Sequence, residues 1–190
     1  MKPTIRTVTT ASLFIILGGA IALRLSPQAV ERLTAPVEPA SAQTSRHYEV
    51  VSNSIYDGDT FRVTDGRQEI KVRLCGVDSP EKDQALGIEA RDHLRSLIAQ
   101  GKGRITLIET DTDRYGRTVA EAFIPTSNGD EEIHLNSQMV ADGMAYVYPQ
   151  YVGSCPNSSV IETAEGIARR EAIGVWADPN AQKPWDYRQR

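Results

Sequence analysis

The sequence contains few side chains that bind transition metals, and it has no internal repeat. Its 190 residues include three histidines and two cysteines. His47, His93 and His134 are scattered along the chain and match no metal-ligand spacing, so we expect them at the surface or at the ends of elements. The lack of a repeat argues against a solenoid of stacked units.

The chain also lacks the excess of positive charge that a general nucleic-acid-binding protein carries. It has 21 Lys and Arg against 25 Asp and Glu, a net charge of −4. The first 46 residues hold five of the basic and two of the acidic side chains, so residues 47–190 carry a net charge of −7. Phosphate neutralisation supplies most non-specific affinity for nucleic acids, and this composition excludes that mode of binding. A polyanion would have to be bound by a few local cations, with a metal ion offsetting clustered carboxylates.

A long apolar stretch lies near the N-terminus. Residues 8–23 carry no charge, Lys2 and Arg6 precede them, and Arg24 follows. This pattern predicts a signal peptide or signal anchor in residues 1–24, with the rest of the chain exported. The length of the stretch does not decide between cleavage and retention, because it is slightly long for the core of a signal peptide and slightly short for a membrane-spanning helix. We therefore expect a periplasmic or extracellular protein, or one anchored to the membrane by residues 8–23.

The remaining chain divides into a linker, a domain and a tail. Residues 25–46 are rich in Pro, Ala, Ser and Thr and show no sustained period, which is typical of a linker. Residues 47–178 begin with alternating strands and continue with amphipathic stretches, as a folded domain does. Residues 179–190 form a tail, and Trp176 and Trp185 are expected to pack this C-terminal segment against the domain.

Two short acidic motifs occur at predicted turns, and each has two interpretations. Asp57-Gly58-Asp59-Thr60 precedes alternating β-forming residues, so it fits a hairpin turn as well as a metal site. Asp78-Ser79-Pro80-Glu81 follows a strand and fits a capped helix start as well as a pair of functional carboxylates. Neither motif decides between structure and chemistry on its own, because short motifs often occur without function.

Two arginines lie beside turns that carry carboxylates. In the predicted strand before the second acidic motif, Ile70, Val72 and Leu74 fall on the core face by period two. Lys71, Arg73 and Cys75 therefore share the other face. Arg117 opens another predicted strand, directly after the polar turn of residues 111–116.

Together these motifs resemble the staphylococcal-nuclease-like, or thermonuclease, family. The resemblance covers about residues 48–178, and five spaced matches in the family's order are far more specific than any one of them. The matching elements are Asp57-Gly58-Asp59-Thr60, Arg73, Asp78-Ser79-Pro80-Glu81, Asp113-Arg114-Tyr115-Gly116-Arg117 and Tyr146-Val147-Tyr148.

The resemblance implies an α+β fold that is mainly β: a five-stranded Greek-key barrel of the oligonucleotide-binding (OB) type with three helices. The sequence pattern predicts strands at about 48–56, 59–65, 68–77, 104–110 and 117–124. A helix is predicted from the stripe Leu86, Ala90, Leu94, Leu97 and Ile98, ending at Gly101. A short helix is predicted at about 135–142. The last helix is predicted to open with a capping box at residues 159–162 and to stop at Gly174.

The resemblance also implies an active site with a calcium ion and a nucleic acid substrate. The metal ligands would be oxygen atoms, which suit calcium: Asp59, Asp78 and the backbone carbonyl of Ser79. The catalytic residues would be Arg73, Glu81 and Arg117, with Glu81 orienting the attacking water and the arginines binding phosphate oxygens. The substrate-binding residues would be Tyr146, Tyr148 and Arg114. Asp57 would support the metal site or cap the turn, so that Asp57-Gly58 makes the turn and Asp59 holds the ion.

The sequence departs from the family pattern at two places. Serine replaces the usual threonine at position 79, a mild change if only its carbonyl binds metal. The stretch between Glu81 and Glu89 is short and lacks the lysine-rich loop of the secreted staphylococcal enzyme. These differences put the preferred substrate in doubt, and the acidic net charge does the same.

Cys75 and Cys155 are predicted to form a disulfide. Two cysteines in an exported chain fit an oxidising compartment, and an even number leaves no spare thiol. The family site would bring Arg73 and Tyr148 to the same phosphate, and each cysteine follows one of these residues in the sequence. The alternative is a pair of small buried thiols.

The sequence therefore predicts a calcium-dependent endonuclease, expected to act as a monomer, that hydrolyses phosphodiester bonds in DNA, RNA or both. The alternative is a non-catalytic module of the same fold that binds nucleic acid or another protein. Such modules typically lose the acidic ligands or the arginines, whereas this chain keeps Asp59, Asp78, Glu81, Arg73 and Arg117.

Overall fold

A computed structural model describes residues 45–126, 128–129 and 131–189 of the protein. These residues belong to one compact unit, residues 42–190. The predicted signal or anchor segment lies outside the described residues, as does the predicted linker apart from its last two residues. Within the described ranges, no helix combines the length and the apolar character needed to cross a membrane. The first strand begins at Ser45, slightly before the predicted domain start at His47.

The described chain is mainly β-structure with helices. The strands are β1 Ser45–Val50, β2 Thr60–Thr64, β3 Glu69–Leu74, β4 Val77–Asp78, β5 Arg104–Thr112, β6 Thr118–Pro125, β7 Glu132–His134 and β8 Tyr146–Val147. The helices are α1 Gly87–Gln100, α2 Leu135–Ala141, α3 Ser158–Glu171 and α4 Pro184–Tyr187, with 3₁₀ turns at Val152–Ser154 and Gly174–Trp176. The fold is therefore α+β, as predicted.

The strands pair into one large sheet and one short ribbon. The large sheet has the order β3-β2-β1-β5-β6-β7, and β3 also pairs in parallel with β6. The ribbon joins β4 to β8. The alternation predicted from the sequence is seen in β2 and β3, where Phe61, Val63, Val72 and Leu74 are buried. This apolar face fixes the register of the strands that carry the polar site residues.

Two strands end earlier than the sequence pattern predicts. β1 ends at Val50, and residues 51–59 form an irregular connection instead of continuing the strand to residue 56. β3 ends at Leu74, because Gly76 has a φ of 70° and turns the chain. A side chain at Gly76 would also meet the Cys155 sulfur 2.7 Å away. The turn separates β4 from β3, so that Asp78 lies in the ribbon with β8.

The helices match the predicted stripes but differ at their ends. Ala90, Leu94, Leu97 and Ile98 are buried in α1, whereas Leu86 precedes the helix in a left-handed conformation with a φ of 66°. α3 begins at Ser158, and the predicted capping box at residues 159–162 is wrong because those residues already lie inside the helix. α3 also ends at Glu171, before Gly174.

A disulfide joins the end of β3 to the 3₁₀ turn at Val152–Ser154. It links Cys75 and Cys155, whose Cα atoms are 5.9 Å apart. Both residues are buried in the hydrophobic core. The sequence placed Cys75 on the non-core face with Arg73, and this was wrong because the strand ends at Leu74 and the turn at Gly76 redirects the side chain.

Candidate active site

The segment Asp57–Thr60 is packed tightly against the second acidic motif. A Cβ atom added to Gly58 would lie 2.6 Å from Ser79 Oγ and 2.9 Å from the Cβ of Ala90. Glycine is therefore required at this position because the backbone approaches Ser79 closely. The Asp59 backbone N–H donates to Asp57 Oδ1 at 3.1 Å, which fixes the local turn.

Asp59 is buried and uses its carboxylate to join the two acidic motifs. Its Oδ2 accepts a hydrogen bond from the Ser79 backbone N–H at 2.8 Å, and its Oδ1 accepts from Thr60 Oγ1 at 3.0 Å. The same Oδ2 lies 3.2 Å from Arg73 Nη2. Asp59 is therefore held in one orientation by backbone, hydroxyl and guanidinium donors.

Arg73 lies between the carboxylates and the backbone. Its Nη2 is 2.8 Å from Asp78 Oδ1 as well as 3.2 Å from Asp59 Oδ2. Its Nη1 donates to the carbonyl oxygens of Leu74 and Val77, at 3.0 Å and 2.7 Å. The guanidinium thus bridges both carboxylates and ties them to the chain that leads out of β3.

Asp78 and Glu81 are joined by an arginine from the C-terminal end of the chain. Arg188 Nη2 lies 2.7 Å from Asp78 Oδ2, and Arg188 Nη1 lies 3.1 Å from Asp78 Oδ1 and 2.7 Å from Glu81 Oε1. Asp78 is fully buried, whereas about a third of the Glu81 side chain is exposed. Arg188 is not among the residues predicted for the site, because the sequence predicts only packing against the domain for the tail.

Two acidic side chains at the site, Asp57 and Asp78, have a raised pKa. Burial raises the pKa of Asp57 to about 7, and the nearby charge of Asp59 adds to the effect. Burial also raises the pKa of Asp78 to about 6, although Arg188 and Arg73 oppose it. Partial burial works against the charge of Arg188, but its hydrogen bonds to Asp78 and Glu81 raise its pKa overall. The arginines therefore do not fully offset the cost of burying the charge of Asp78, whose pKa stays raised.

The donor atoms of the site fit a hard divalent cation. Asp59 Oδ2 and Asp78 Oδ1 converge on one nitrogen of Arg73, and the Ser79 backbone lies between these two aspartates in the contact network. Oxygen ligands of this kind suit calcium. Ser79 Oγ is buried without a hydrogen-bond partner in the structure. In the ranges described, no group of three or more His, Cys, Asp or Glu side chains is placed to hold a metal ion, so a cation bound by Asp59 and Asp78 would need further ligands from backbone or water.

Arg117 lies on a separate turn beside this centre. Thr118 pairs with Val72, so Arg117 enters the strand next to β3. Its Nε is 2.6 Å from Asp113 Oδ2, and its guanidinium lies 5.4 Å from the ring centre of Tyr115. No hydrogen bond or ion pair joins Arg117 to the carboxylates around Arg73 within the described part of the chain.

Arg114 and Tyr115 form the exposed end of the same turn. The Tyr115 ring is 68% exposed, and the Arg114 guanidinium lies 4.8 Å from its centre. This pair presents an aromatic face and positive charge to solvent, as a single-stranded nucleic acid requires. The turn makes no contact with the carboxylates, and substrate binding by Arg114 stays a prediction.

Tyr146 in β8 and Tyr148 directly after the strand differ in their accessibility. Tyr146 pairs with Asp78 in the ribbon, but it is buried and its hydroxyl donates to the Val175 carbonyl at 2.9 Å. Burial raises its pKa to about 12. Its hydroxyl is therefore committed within the protein, and its side chain is too buried for the predicted substrate contact. Tyr148 is half-buried and stacks on Trp185, with ring centres 5.3 Å apart.

A solvent-facing cavity of about 410 Å³ lies beside Glu81. Residues from both ends of the chain line it: Tyr56, Asp57, Glu81, Lys82, Asp83, Tyr187 and Arg188. Glu81 is thus accessible to water and to a solute at the edge of the buried carboxylate pair.

Sequence comparisons identify the family. The model of the staphylococcal nuclease homologue matches residues 71–178. Micrococcal nuclease of Shigella flexneri is 41% identical over 137 residues, which are 70% of this chain and 76% of that protein. Protein ParB of Escherichia coli is 36% identical over 137 residues, 70% of this chain and 75% of that protein. An uncharacterized endonuclease of Escherichia coli O157:H7 is 35% identical over 136 residues, 72% of this chain and 82% of that protein. The resemblance seen in the sequence is confirmed, and the chain belongs to the staphylococcal nuclease homologue family.

Proposed function

We propose that this chain is a calcium-dependent endonuclease that hydrolyses phosphodiester bonds in DNA, RNA or both. The observation that carries the proposal is the convergence of Asp59, Asp78, Glu81 and Arg73 in one contact network. Relatives named as nucleases and endonucleases support the same reaction class. A binding-only module of this fold would have no need for a water-accessible carboxylate beside a pair of buried ones.

The proposed mechanism assigns a separate task to each group. Asp59, Asp78 and the Ser79 carbonyl would hold the calcium ion, which when bound neutralises charge on the phosphoryl oxygens. Glu81 lies at the solvent cavity, where it orients the attacking water and accepts its proton at a carboxylate oxygen. Arg73 places a fixed positive charge next to the phosphoryl group.

The arginines must exchange partners to bind phosphate directly. Arg73 would give up one of its carboxylate contacts. Arg117 would release Asp113, whose Oδ2 lies 2.6 Å from Arg117 Nε. The planar guanidinium suits this exchange, because it presents several donors in a fixed geometry to carboxylate and phosphate alike. Arg114 and Tyr148 would contact the substrate on either side of the scissile group.

We further propose the five-stranded OB-type barrel for the core of the domain. Support comes from the pairing of β3 with β6, which connects the two ends of the row β3-β2-β1-β5-β6. Such a barrel offers a strand face for a nucleic acid chain. The arrangement would leave Arg73, at the end of β3, and Arg117, at the start of β6, on neighbouring strands.

We also propose that the domain functions outside the cytoplasm. The disulfide between Cys75 and Cys155 supports this location, because disulfides persist in oxidising compartments. The uncharged stretch of residues 8–23 supports export, with membrane attachment if the segment is retained.

The proposed function is tested by a cleavage assay with purified protein. Single- and double-stranded DNA and RNA oligonucleotides would each be incubated with calcium, with magnesium, and with excess chelator. We expect internal cleavage with calcium and none with chelator. Binding of an oligonucleotide without cleavage under every metal condition would favour the non-catalytic alternative.

A further inference from the structure

The last residues of the chain form an arm that is anchored on the proposed active site. We call residues 182–188 the C-terminal arm. The Gln182 carbonyl accepts a hydrogen bond from Gln84 Nε2 at 3.1 Å, and the Lys183 ammonium lies 3.8 Å from the ring centre of Tyr146. Trp185 stacks on Tyr148 at 5.3 Å. These contacts fix the arm over β8 and over the loop that carries Glu81.

Arg188 is the point at which the C-terminal arm enters the carboxylate centre. Its Nη1 is shared between Asp78 Oδ1 and Glu81 Oε1, at 3.1 Å and 2.7 Å, while its Nη2 is 2.7 Å from Asp78 Oδ2. One guanidinium therefore contacts both oxygens of Asp78 and one oxygen of Glu81. These three contacts fix the distance between the two carboxylates.

We propose that Arg188 is a positioning residue for phosphodiester hydrolysis, an inference that rests on the proposed function. The two acidic side chains repel each other, and Glu81 is a partly exposed side chain with several rotatable bonds. Without a partner, Glu81 would sample many rotamers, and few of them would place its oxygen on the attacking water. The bridge through Arg188 selects one orientation before substrate binds.

The arm contacts favour this role over that of a removable latch. A latch must leave the site in each catalytic cycle, which would break the Trp185 stack and the Gln84 hydrogen bond as well as the Arg188 ion pairs. The Gln84 side chain instead ties the Glu81 loop to the arm: its Oε1 accepts from the Glu81 backbone N–H at 2.9 Å, and its Nε2 donates to the Gln182 carbonyl at 3.1 Å. Arm and loop are thus joined at two places, Gln84 and Arg188.

The experiment compares steady-state kinetics of the intact protein and of Arg188→Ala and Arg188→Lys. Loss of a residue that orients a functional carboxylate typically costs about 10- to 100-fold in activity. We expect Arg188→Ala to lower kcat by that factor with little change in KM, because the effect acts on water orientation and not on substrate affinity. Arg188→Lys should keep part of the wild-type kcat, since lysine retains the positive charge but not the planar set of donors of the guanidinium.

Two further measurements separate positioning from a loss of packing. Arg169→Ala is the matched control, because Arg169 lies 4.5 Å from the ring centre of Trp176 but contacts none of the site carboxylates, and it should keep wild-type kinetics. Added guanidinium at a non-denaturing concentration should restore part of kcat in Arg188→Ala and leave Arg169→Ala unchanged. If Arg188→Ala fails to fold, the test is made with Arg188→Lys alone, which should have a lower kcat than the wild type.

The outcomes distinguish this inference from the proposed function. A wild-type protein that cleaves no nucleic acid would overturn both. An active wild-type protein with unchanged kcat in both Arg188 variants would overturn the positioning role alone. A rise in kcat in Arg188→Ala would overturn it as well and would identify the arm as inhibitory.

Discussion

At the scale of single residues, Arg73 has the most demanding set of contacts. Its two terminal nitrogens contact two carboxylates and donate hydrogen bonds to two backbone carbonyls. A lysine offers one nitrogen and would leave several of these acceptors without a donor. Because the side chain is largely buried, these lost hydrogen bonds would not be fully replaced by water.

We therefore predict that Arg73→Lys lowers turnover by at least about 100-fold, because lysine keeps the positive charge but loses the fixed donor geometry that a preorganised site requires. The fold should survive, with a decrease of about 1–3 kcal/mol in the free energy of unfolding. Arg117→Lys should also lower turnover by orders of magnitude, with less effect on stability because Arg117 is more exposed. Steady-state cleavage and urea unfolding check both variants. Wild-type rates in either would show that the phosphate site is misplaced.

His134 provides a pH-dependent contribution to stability away from the site. It stacks on Phe123 with ring centres 4.7 Å apart, and its Nε2 lies 3.8 Å from the buried Glu121. Burial lowers the pKa of His134, although Glu121 opposes the shift. The unfolded chain, with an ordinary histidine pKa of about 6.5, then binds protons more readily than the native chain. The stability that comes from burying a neutral His134 is therefore fully present above the histidine pKa of the unfolded chain. It is lost as the pH falls from that value through the lower pKa of the folded protein.

We predict that His134→Gln makes stability less sensitive to acid. When the pH is lowered from 7.5 to 5.5, the free energy of unfolding of the wild type should decrease more, or increase less, than that of the variant. The raised pKa values of Asp57 and Asp78 act in the opposite direction, but they are common to both proteins and cancel in the comparison. Urea unfolding at the two pH values measures the difference. An identical pH dependence in both proteins would contradict the account.

At the scale of elements, the disulfide links two segments that shape the site. Cys75 follows the strand that carries Arg73, and Cys155 follows the loop that carries Tyr148. Their separation of 80 residues gives a long closed loop in the unfolded chain. A crosslink of this span is worth about 4.5 kcal/mol by the chain-entropy estimate.

We predict that the unreduced protein from its native source has no alkylatable thiol by mass spectrometry. The double variant Cys75→Ala/Cys155→Ala should lose about 4–5 kcal/mol of unfolding free energy relative to the oxidised wild type. Reduced wild-type protein is the control, since it lacks the crosslink but keeps the side chains. Two alkylatable thiols in the native protein would refute the bridge.

Sequence patterns predict the longer elements well and the shorter ones poorly. The apolar periodicity of β2, β3 and α1 reflects burial on one face, which the residue order records directly. The ribbon of β4 and β8 has only two residues on each strand, so it forms because Gly76 turns the chain and not because of any local pattern. The same turn explains why β3 ends three residues before its predicted end and why Cys75 is buried.

The candidate site is predictable where its residues belong to contiguous motifs. Asp59, Asp78 and Glu81 occur in two short acidic segments, and the family pattern brings them together with Arg73. Arg188 escapes such reasoning because it is 107 residues from Glu81 and lies in a tail for which the sequence predicts only packing. Tyr146 is mispredicted for the opposite reason: its motif is recognisable, but the packing of Val175 and Trp176 buries it.

At the scale of the whole molecule, the site is assembled from both ends of the folded unit. Asp57 and Asp59 come from near its start, and Arg188 comes from near its end. The acidic net charge of the domain makes a general attraction to nucleic acid improbable, so affinity must come from the few arginines and from the proposed cation. The account therefore depends on metal-assisted hydrolysis at Asp59 and Asp78.

The most direct test is the initial rate of cleavage of a labelled oligonucleotide by wild-type protein and by Asp59→Asn. Asp65→Asn is the matched control, because Asp65 is an exposed acid in the turn between β2 and β3. We predict calcium-dependent cleavage by wild type and control, no cleavage in excess chelator, and at least about a 100-fold loss in folded Asp59→Asn. Full turnover in excess chelator, or a wild-type rate in Asp59→Asn, would contradict the account.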